Sequence, residues 1–342
     1  MRKALVVLTV SLAVTIGVAP GASAAERSQP SFDRDGDGQA DIAVTRAASP
    51  ALDAPVTWYF ALSAGGFTSE TFGNRGDVQV PADYDGDGVI DAAVVRLLPS
   101  NQLDWFIHRS SDGGVTEAPF GGDADGADTP IQGDFDGDGK ADLAVYRPPV
   151  NGKPHGQFFV WPSGGGPVWS LLWGDAGAND RPFAGDFDGD GKSDLGVRRP
   201  DTNGDFVWFI AASRAGFLNP TFGHDQDLFA PGDYDGDGTT DLVMVRTLPN
   251  KDYRWFGLMS SGGAFVTDWG HGGNTINTTD RLVPANYAGT GRTQIAVWRP
   301  DPTAGIFFVR NDSGTAITTS FGITGDIPVV YDYVINDNAV AP

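Results

Sequence analysis

The chain is a succession of short apolar runs rich in Val, Phe, Trp and Tyr. Clusters of Gly, Pro, Asp and Asn separate these runs, and such residues favour turns. No window shows a sustained apolar period of 3.6 residues, so helices are not expected. Around one representative turn the runs are 130–133, 143–146, 157–161 and 168–173. The pattern predicts an all-β protein whose repeating unit contains four short strands.

Each unit carries a nine-residue acidic loop, for which residues 134–142 (DFDGDGKAD) serve as the example. Aspartates occupy loop positions 1, 3, 5 and 9, and glycines stand where the chain must bend sharply. Intact loops begin at Asp33, Asp83, Asp134, Asp186 and Asp233, a degenerate copy at Asn286 and an incomplete one at Asp332. The spacings are 50, 51, 52, 47, 53 and 46 residues. A repeat of this length is typical of propellers and solenoid arrays.

Four other sequence features recur in register with the loops. An arginine follows loop position 9 by five residues, at Arg46, Arg96, Arg147, Arg199, Arg246 and Arg299. Next comes an aromatic pair, which begins at Trp58, Trp105, Phe158, Trp208, Trp255 and Phe307. An aromatic–glycine pair follows, which begins at Phe72, Phe120, Trp173, Phe222, Trp269 and Phe321. An aspartate precedes each loop by six residues, at Asp77, Asp128, Asp180, Asp227, Asp280 and Asp326. We expect the arginines and these aspartates to form interblade ion pairs with an architectural role, a ligand-binding ring being the alternative.

Six units of four strands without helices predict a six-bladed β-propeller. The N-terminal unit begins almost at its acidic loop and lacks a convincing first strand, whereas 325–332 resembles the strand that precedes the loop in other units. We therefore expect the C-terminal strand to pair with the N-terminal blade and to close the ring, which removes exposed sheet edges. Seven blades are the alternative, but they would require a unit that the sequence does not contain.

The ends and the charge of the chain bear on its location. Arg2 and Lys3, the apolar run 4–18 and Ala22-Ser23-Ala24 form the pattern of a secretory signal peptide. We expect residues 1–24 to be removed, residues 25–342 to form one propeller domain, and the protein to be secreted, monomeric and not inserted in a membrane. A net charge of −21 argues against nucleic acid as a partner. The absence of cysteine excludes disulfides, thiolate catalysis and Cys-based zinc sites.

The loop D-x-D-G-D-G-x-x-D, followed by a strand that ends in Arg or Arg-Pro, resembles the FG-GAP/VCBS repeats of bacterial secreted proteins. Similar units build the integrin α-subunit propeller and certain calcium-containing fungal lectins. The resemblance covers essentially the whole mature chain. It implies a calcium-binding propeller, and it is compatible with adhesion, sugar binding or an accessory role in an enzyme.

The acidic loops are predicted to hold about five structural Ca²⁺ ions, because hard cations of this size take six to eight oxygen ligands. Mg²⁺ is disfavoured because the loops make little provision for retained water. The proposed ligands include the residue at position 7 through its backbone carbonyl. They are Asp33, Asp35, Asp37, Gln39 and Asp41; Asp83, Asp85, Asp87, Val89 and Asp91; Asp134, Asp136, Asp138, Lys140 and Asp142; Asp186, Asp188, Asp190, Lys192 and Asp194; and Asp233, Asp235, Asp237, Thr239 and Asp241. The sixth loop has Asn286, Ala288, Thr290 and Gln294 at the ligand positions and should be metal-free.

Ligand-contacting residues are harder to identify. His224 and His271 open the loops that lead to the next blade, and Asn274 and Asn277 lie in the longest loop of this class. These four residues are therefore candidates for ligand contact on the face opposite the calcium loops. The alternative is that the two histidines are unremarkable surface residues. Trp161, Trp169 and Trp298 lack counterparts in other units and are either sugar platforms or core. The RGD tripeptide Arg75-Gly76-Asp77 is explained by the recurrent pre-strand aspartate.

The favoured function is a secreted binding module for carbohydrate or for an extracellular or cell-surface protein. Catalytic motifs such as G-x-S-x-G, H-E-x-x-H or a P-loop are absent. The alternatives are a polysaccharide hydrolase or lyase with acidic residues in the central funnel, and a purely structural module.

Overall fold

The computed structural model describes residues 32–122, 128–149, 154–175, 180–273, 279–301 and 303–329. The secondary structure in these residues is strand, and they include no helix long and apolar enough to span a membrane. The strands, numbered β1 to β25 in chain order, form six antiparallel sheets that are the blades of the ring.

The first three blades follow the predicted pattern of four strands, whose order runs from the innermost to the outermost. Blade 1 contains β25 (Ile327–Pro328), β1 (Ile42–Ala47), β2 (Pro55–Ala61) and β3 (Phe67–Asn74). Blade 2 contains β4 (Val78–Gln79), β5 (Ala92–Leu97), β6 (Leu103–His108) and β7 (Val115–Pro119). Blade 3 contains β8 (Thr129–Ile131), β9 (Leu143–Arg147), β10 (Gln157–Trp161) and β11 (Trp169–Leu172).

The second half of the chain repeats the arrangement. Blade 4 contains β12 (Arg181–Gly185), β13 (Asp194–Pro200), β14 (Asp205–Ala212) and an outer strand in two pieces, β15 (Gly216–Leu218) and β16 (Thr221–His224). Blade 5 contains β17 (Leu228–Phe229), β18 (Leu242–Thr247), β19 (Asp252–Leu258) and β20 (Ala264–His271). Blade 6 contains β21 (Arg281–Leu282), β22 (Ala296–Arg299), β23 (Ile306–Arg310) and β24 (Ala316–Ser320). Pro220 lies at the break between β15 and β16, where it has no backbone N–H to donate.

The ring closes as the sequence predicts. β25 pairs with β1, with Thr45 opposite Ile327 and Val44 opposite Pro328, so the last described strand is the innermost strand of the first blade. The described chain forms six blades, which confirms the six-bladed prediction over the seven-bladed alternative. The partial repeat at Asp332 and the segment 1–24 lie outside the described residues.

Buried indoles organise the blades from within. The first aromatic of the pair on the third strand is buried in every blade, and in four blades it is a tryptophan: Trp58, Trp105, Trp208 and Trp255. Each Nε1–H donates to the carbonyl of the aromatic residue that ends the outer strand, at 2.8–2.9 Å. Blade 6 has Phe307 instead, and Trp298 on β22 donates to the corresponding carbonyl of Phe321 at 3.2 Å. Trp298 is therefore core, and Gly305 provides the room that its indole needs.

The six arginines and the six pre-strand aspartates pair without exception, but within blades rather than between them. Each aspartate precedes the first strand and each arginine lies near the end of the second strand of the same sheet, so the predicted interblade pairing is wrong. Arg Nε and Nη2 donate to the two carboxylate oxygens at 2.6–3.0 Å. The aspartate side chains are at most 2% exposed. Each guanidinium also covers the second ring of the aromatic pair at 4.7–5.2 Å.

We expect Arg147→Met to lower the free energy of unfolding by about 3–5 kcal/mol, because it leaves the buried carboxylate of Asp128 without its cation. Urea denaturation of the variant and the parent protein measures the difference. The matched control is Arg254→Met, which removes an exposed pair with Asp268 and should lower the free energy of unfolding far less, because solvent screens the pair. Equal losses in the two variants would contradict the structural role of the buried pair.

Candidate functional site

The acidic loops join the first and second strands of the blades, and the loop at 134–142 shows how they are built. Asp134 accepts backbone hydrogen bonds from Gly137 at 2.6 Å and from Gly139 at 2.8 Å. Both glycines have positive φ, 81° and 88°, which a residue with a side chain rarely adopts. The first aspartate therefore wraps the loop around its own carboxylate. The same two bonds occur in the other four intact loops.

The aspartate at position 9 is the buried end of each loop. Asp142 is fully buried and accepts backbone hydrogen bonds from Phe135 at 2.7 Å and from Ser163 at 2.6 Å. Ser163 lies in the turn between the third and fourth strands, and its hydroxyl donates to Asp138 at 3.0 Å. The loop is thereby attached to the outer half of the blade.

A serine holds this place in every unit that has an intact loop: Ser63, Ser110, Ser163, Ser213 and Ser260. The sequence interpretation missed these residues. A signal was available, because each serine follows the first aromatic of the pair by five residues, whereas the unit with the degenerate loop has Asp312 there. The serine and the carboxylates are lost together, which indicates that they serve one site.

Carboxylate oxygens converge in every intact loop. In the second to fifth loops, oxygens from positions 1, 3 and 9 lie within 4.8 Å of one another, and in the first loop those of Asp33, Asp35 and Asp37 do. Asp188 Oδ1 is buried and has no protein hydrogen-bond partner in the described chain. Closely spaced carboxylates at a partly buried position are the donor set of a hard cation. These residues therefore fit a metal ion, as predicted, with positions 1, 3 and 9 as the converging set in most loops.

Burial raises the pKa of the carboxylates at position 9. Desolvation is the largest cause, and it raises the pKa of Asp41, Asp91 and Asp241 to about 6 and that of Asp194 to about 7. Backbone hydrogen bonds from the serine turn oppose the rise without cancelling it. A bound cation would favour the ionised form of these groups.

The six loops also hold one another. The residue at position 8 of each loop donates its backbone N–H to the carbonyl of position 1 in the preceding loop, at 2.6–2.9 Å. The donor and acceptor pairs are Ile90 and Asp33, Ala141 and Asp83, Ser193 and Asp134, Thr240 and Asp186, Thr293 and Asp233, and Ala40 and Asn286. The residue at position 7 was predicted to contribute only its backbone carbonyl. Its side chain packs on the position-4 glycine of the preceding loop, as Lys140 does on Gly86. The loops thus form a closed ring around the channel.

This ring surrounds a central cavity of about 430 Å³ on the acidic-loop face. Its lining combines glycines and prolines of the loops and inner strands with Lys140, Lys192 and Gln132. It also includes the first aspartate of each intact loop, namely Asp33, Asp83, Asp134, Asp186 and Asp233.

The degenerate sixth loop keeps the fold without the carboxylates. Gln294 Oε1 accepts the N–H of Ala288 at 3.0 Å, and Asn286 Oδ1 accepts the N–H of Thr290 at 3.0 Å. Neutral amide oxygens therefore replace the aspartates in shaping the turn. Among the described residues, this loop has no converging carboxylate set.

Of the other predicted ligand residues, His224 and His271 belong to the described part of the chain. His224 contacts Asp225 at 2.7 Å and His271 contacts Asp252 at 3.3 Å, and neither lines the central cavity. Their backbone N–H groups bind the pre-strand aspartates, as the residue at this place does in every unit. Asn274 and Asn277 lie outside the described residues.

Two of the remaining sequence features have clear structural positions. Asp77 of the RGD tripeptide is bound to Arg96 through both carboxylate oxygens, so its carboxylate is committed to the fold. Trp161 and Trp169 lie on the surface of blade 3 and are 39% and 38% exposed, in contrast to the buried Trp298.

An interblade groove that the sequence did not reveal lies between blades 6 and 1 and is termed the closure groove. It is a cavity of about 240 Å³ lined by Val44, Arg46, Tyr59, Phe67, Phe321, Gly322 and Ile323. Phe67 is 59% exposed, stacks on Tyr59 with the ring centroids 6.1 Å apart, and meets Phe321 edge to face. The guanidinium of Arg46 covers the Tyr59 ring at 4.7 Å. Arg46 lies at the end of β1 farther from the acidic loop, which places it towards the opposite face.

Two family models match parts of the chain. Residues 83–145 match an FG-GAP-like repeat, and residues 132–161 match an FG-GAP repeat. Comparison with curated proteins gave no match.

Solved structures with the same overall arrangement include AofleA from Arthrobotrys oligospora, at 9% identity and a TM-score of 0.53, covering 84% of this chain and 88% of that one. A mutant of AofleA in which three arginines are replaced by alanine is similar at 10% identity and the same TM-score, with coverage of 81% and 82%. A fucose-specific lectin from Aleuria aurantia has a TM-score of 0.46 at 10% identity, with coverage of 83% and 96%. At these identities the likeness concerns the fold.

We expect the thermal midpoint of the metal-free protein to decrease as the pH is raised from 4 to about 7. The position-9 carboxylates have folded-state pKa values raised above 3.8, so the stability they contribute is complete below pH 4 and is lost as the pH rises through 6 to 7. Thermal unfolding followed by circular dichroism in excess EDTA measures this dependence. Asp194→Asn, which removes the carboxylate whose pKa is raised most, should weaken it, and a midpoint that rises over this range would contradict the prediction.

Proposed function

Because the chain is a β-propeller built from FG-GAP repeats, we propose that it is a calcium-stabilised module that binds carbohydrate in the closure groove. The observation that carries the proposal is the groove itself, where an exposed aromatic ring, a second ring beneath a guanidinium and an open cavity lie together. The acidic loops would then stabilise the ring, and recognition would lie at the junction between blades.

Calcium is the cation that the loops fit best in type and number of donors. Each intact loop offers several carboxylate oxygens, and three of them converge within 4.8 Å. Ca²⁺ accepts this irregular, oxygen-rich arrangement, whereas Mg²⁺ demands an octahedron and retains water. Export through the segment 1–24 would place the module outside the cell, where sites of modest calcium affinity are filled. Five ions would change the net charge from −21 to −11, that is, −21 plus 10.

Calcium removal should lower the thermal midpoint, because a ligand held only by the folded state adds about 2.7 kcal/mol per site at a hundredfold excess over Kd. Melting curves in CaCl₂, MgCl₂ and EDTA measure the effect, and calcium-binding stoichiometry should be about five, from the five intact loops. Asp136→Asn should reduce the stoichiometry by one, whereas Thr290→Ala in the degenerate loop should leave it unchanged. An unchanged midpoint in excess EDTA would contradict the structural role of calcium.

Carbohydrate is the ligand class that matches the closure groove. A pyranose presents a face of C–H groups that packs on an aromatic ring, and its hydroxyls bind planar donors and carboxylates. Phe67 supplies an exposed ring, and Arg46 uses Nε and Nη2 for Asp326. The Arg46 guanidinium lines the groove and lies over the Tyr59 ring, which places an N–H donor beside the cavity. The groove thus supplies an apolar platform beside a hydrogen-bond donor.

Phe67→Ala should reduce carbohydrate affinity at the closure groove at least tenfold and leave the thermal midpoint within about 1–2 °C, because the side chain is largely exposed. A glycan array of the mature protein and titration with methyl glycosides of fucose, mannose, galactose and N-acetylglucosamine measure binding. Val115→Ala, at the same position of the outer strand in blade 2, is the matched control and should bind as the parent does. Binding that is unchanged by Phe67→Ala would remove the groove from the proposal.

A further inference from the structure

The ring contains an internal twofold repeat that is finer than its six blades. An offset of 150 residues joins Phe67 to Phe217, Asp83 to Asp233 and Trp105 to Trp255. The two described non-glycine residues with positive φ, Asn101 at 63° and Lys251 at 74°, are separated by the same offset. Blades 3 and 6 agree as well, since both have phenylalanine in place of the third-strand tryptophan, preceded two residues earlier by Gly156 or Gly305. Blades 1 to 3 therefore correspond to blades 4 to 6.

This symmetry relates the closure groove to the junction between blades 3 and 4, half a turn away. There Phe209 and Phe217 stack with their centroids 6.3 Å apart and their planes at 23°, compared with 6.1 Å and 26° for Tyr59 and Phe67. Phe217 meets Trp173 edge to face at 5.7 Å, as Phe67 meets Phe321 at 6.1 Å. The geometry of three rings is thus reproduced.

The polar part of the site is reproduced too. Arg199 covers the Phe209 ring at 4.8 Å and binds Asp180 through Nε and Nη2, as Arg46 covers Tyr59 and binds Asp326. Phe217 is 54% exposed, close to the 59% of Phe67. One difference is Asp175, whose carboxylate lies 3.9 Å from Nη1 of Arg199 and adds an acceptor to the donor edge.

The other four junctions lack a ring at the place of Phe67 and Phe217, although Trp161, 39% exposed, supplies a ring from the third strand at the junction of blades 2 and 3. Phe67 and Phe217 lie at the start of the outer strands of blades 1 and 4. The corresponding residues in the other four blades are Val115, Val168, Ala264 and Ala316. At the junction of blades 2 and 3, Trp161 contacts Phe120, but Phe159 has no stacked partner on the outer strand among the described residues. The three-ring arrangement is therefore a property of two junctions that lie on opposite sides of the ring.

We propose that the junction of blades 3 and 4 is a second carbohydrate site, so that one chain binds two sugar residues at opposite sides of the ring and can cross-link a multivalent glycan. The inference rests on the proposed function, because it assigns the same ligand class to both junctions. Two sites that face apart cannot engage neighbouring residues of one short oligosaccharide, but they can bridge separate strands of a glycan surface.

The test is the binding stoichiometry of the calcium-loaded mature protein with the four methyl glycosides, measured by isothermal titration. The parent should bind two equivalents, Phe67→Ala and Phe217→Ala one each, and the double variant none. Val115→Ala should retain two.

Tryptophan fluorescence gives a second measurement that does not depend on Phe217→Ala folding. Trp173 belongs to the second site, whereas the lining of the closure groove contains no tryptophan. Ligand binding should therefore change the emission of Phe67→Ala, and this change should disappear in Phe67→Ala combined with Trp173→Phe.

The outcomes separate the two proposals. One equivalent in the parent, abolished by Phe67→Ala and unaffected by Phe217→Ala, would overturn the second site and leave the first. No binding of any of the four glycosides would overturn both. Two equivalents that survive both phenylalanine substitutions would place the ligand elsewhere and would also overturn both.

Discussion

The arrangement of the molecule depends on a ring of six backbone hydrogen bonds between successive acidic loops. Each loop receives an N–H from the next one at its first residue, and the last of these bonds joins Ala40 to Asn286 across the ends of the chain. The first residue thus has two roles, because its side chain shapes the loop while its carbonyl fixes the neighbouring blade. Any change in one metal site is therefore transmitted to the geometry of the next loop.

The sixth unit shows which interactions are separable. It has lost the carboxylates and the serine of the metal site, yet it keeps its place in the backbone ring and its bidentate Arg299–Asp280 pair. The converging carboxylates are therefore an addition to a blade that is already defined by its buried aromatic residues, its ion pair and its backbone contacts. These carboxylates are unfavourable when ionised without a cation, because burial raises the pKa values of the position-9 aspartates.

The repeat made much of this architecture predictable. Equal spacing of the aspartates, the arginines and the aromatic pairs determined the number of blades, the closure by the last strand and the metal loops. Interblade ion pairing was wrong because spacing along the chain does not reveal whether an aspartate before a strand belongs to the sheet it leaves or to the one it enters. The closure groove was missed because Phe67 and Phe321 are 254 residues apart, from 321 minus 67, and only closure brings them together. His224 and His271 were candidates because they open the loops to the next blade, and their backbone N–H groups bind the pre-strand aspartates Asp227 and Asp280.

The ring closes within blade 1, where β25 and β1 come from opposite ends of the described chain and two residue pairs form their ladder. The closure groove lies next to this pairing, between blades 6 and 1. During synthesis the groove cannot form until the last blade is complete. The proposed binding surface is therefore present only after the ring has closed. A sugar bound there would contact residues from both ends of the chain and would therefore stabilise the closed ring.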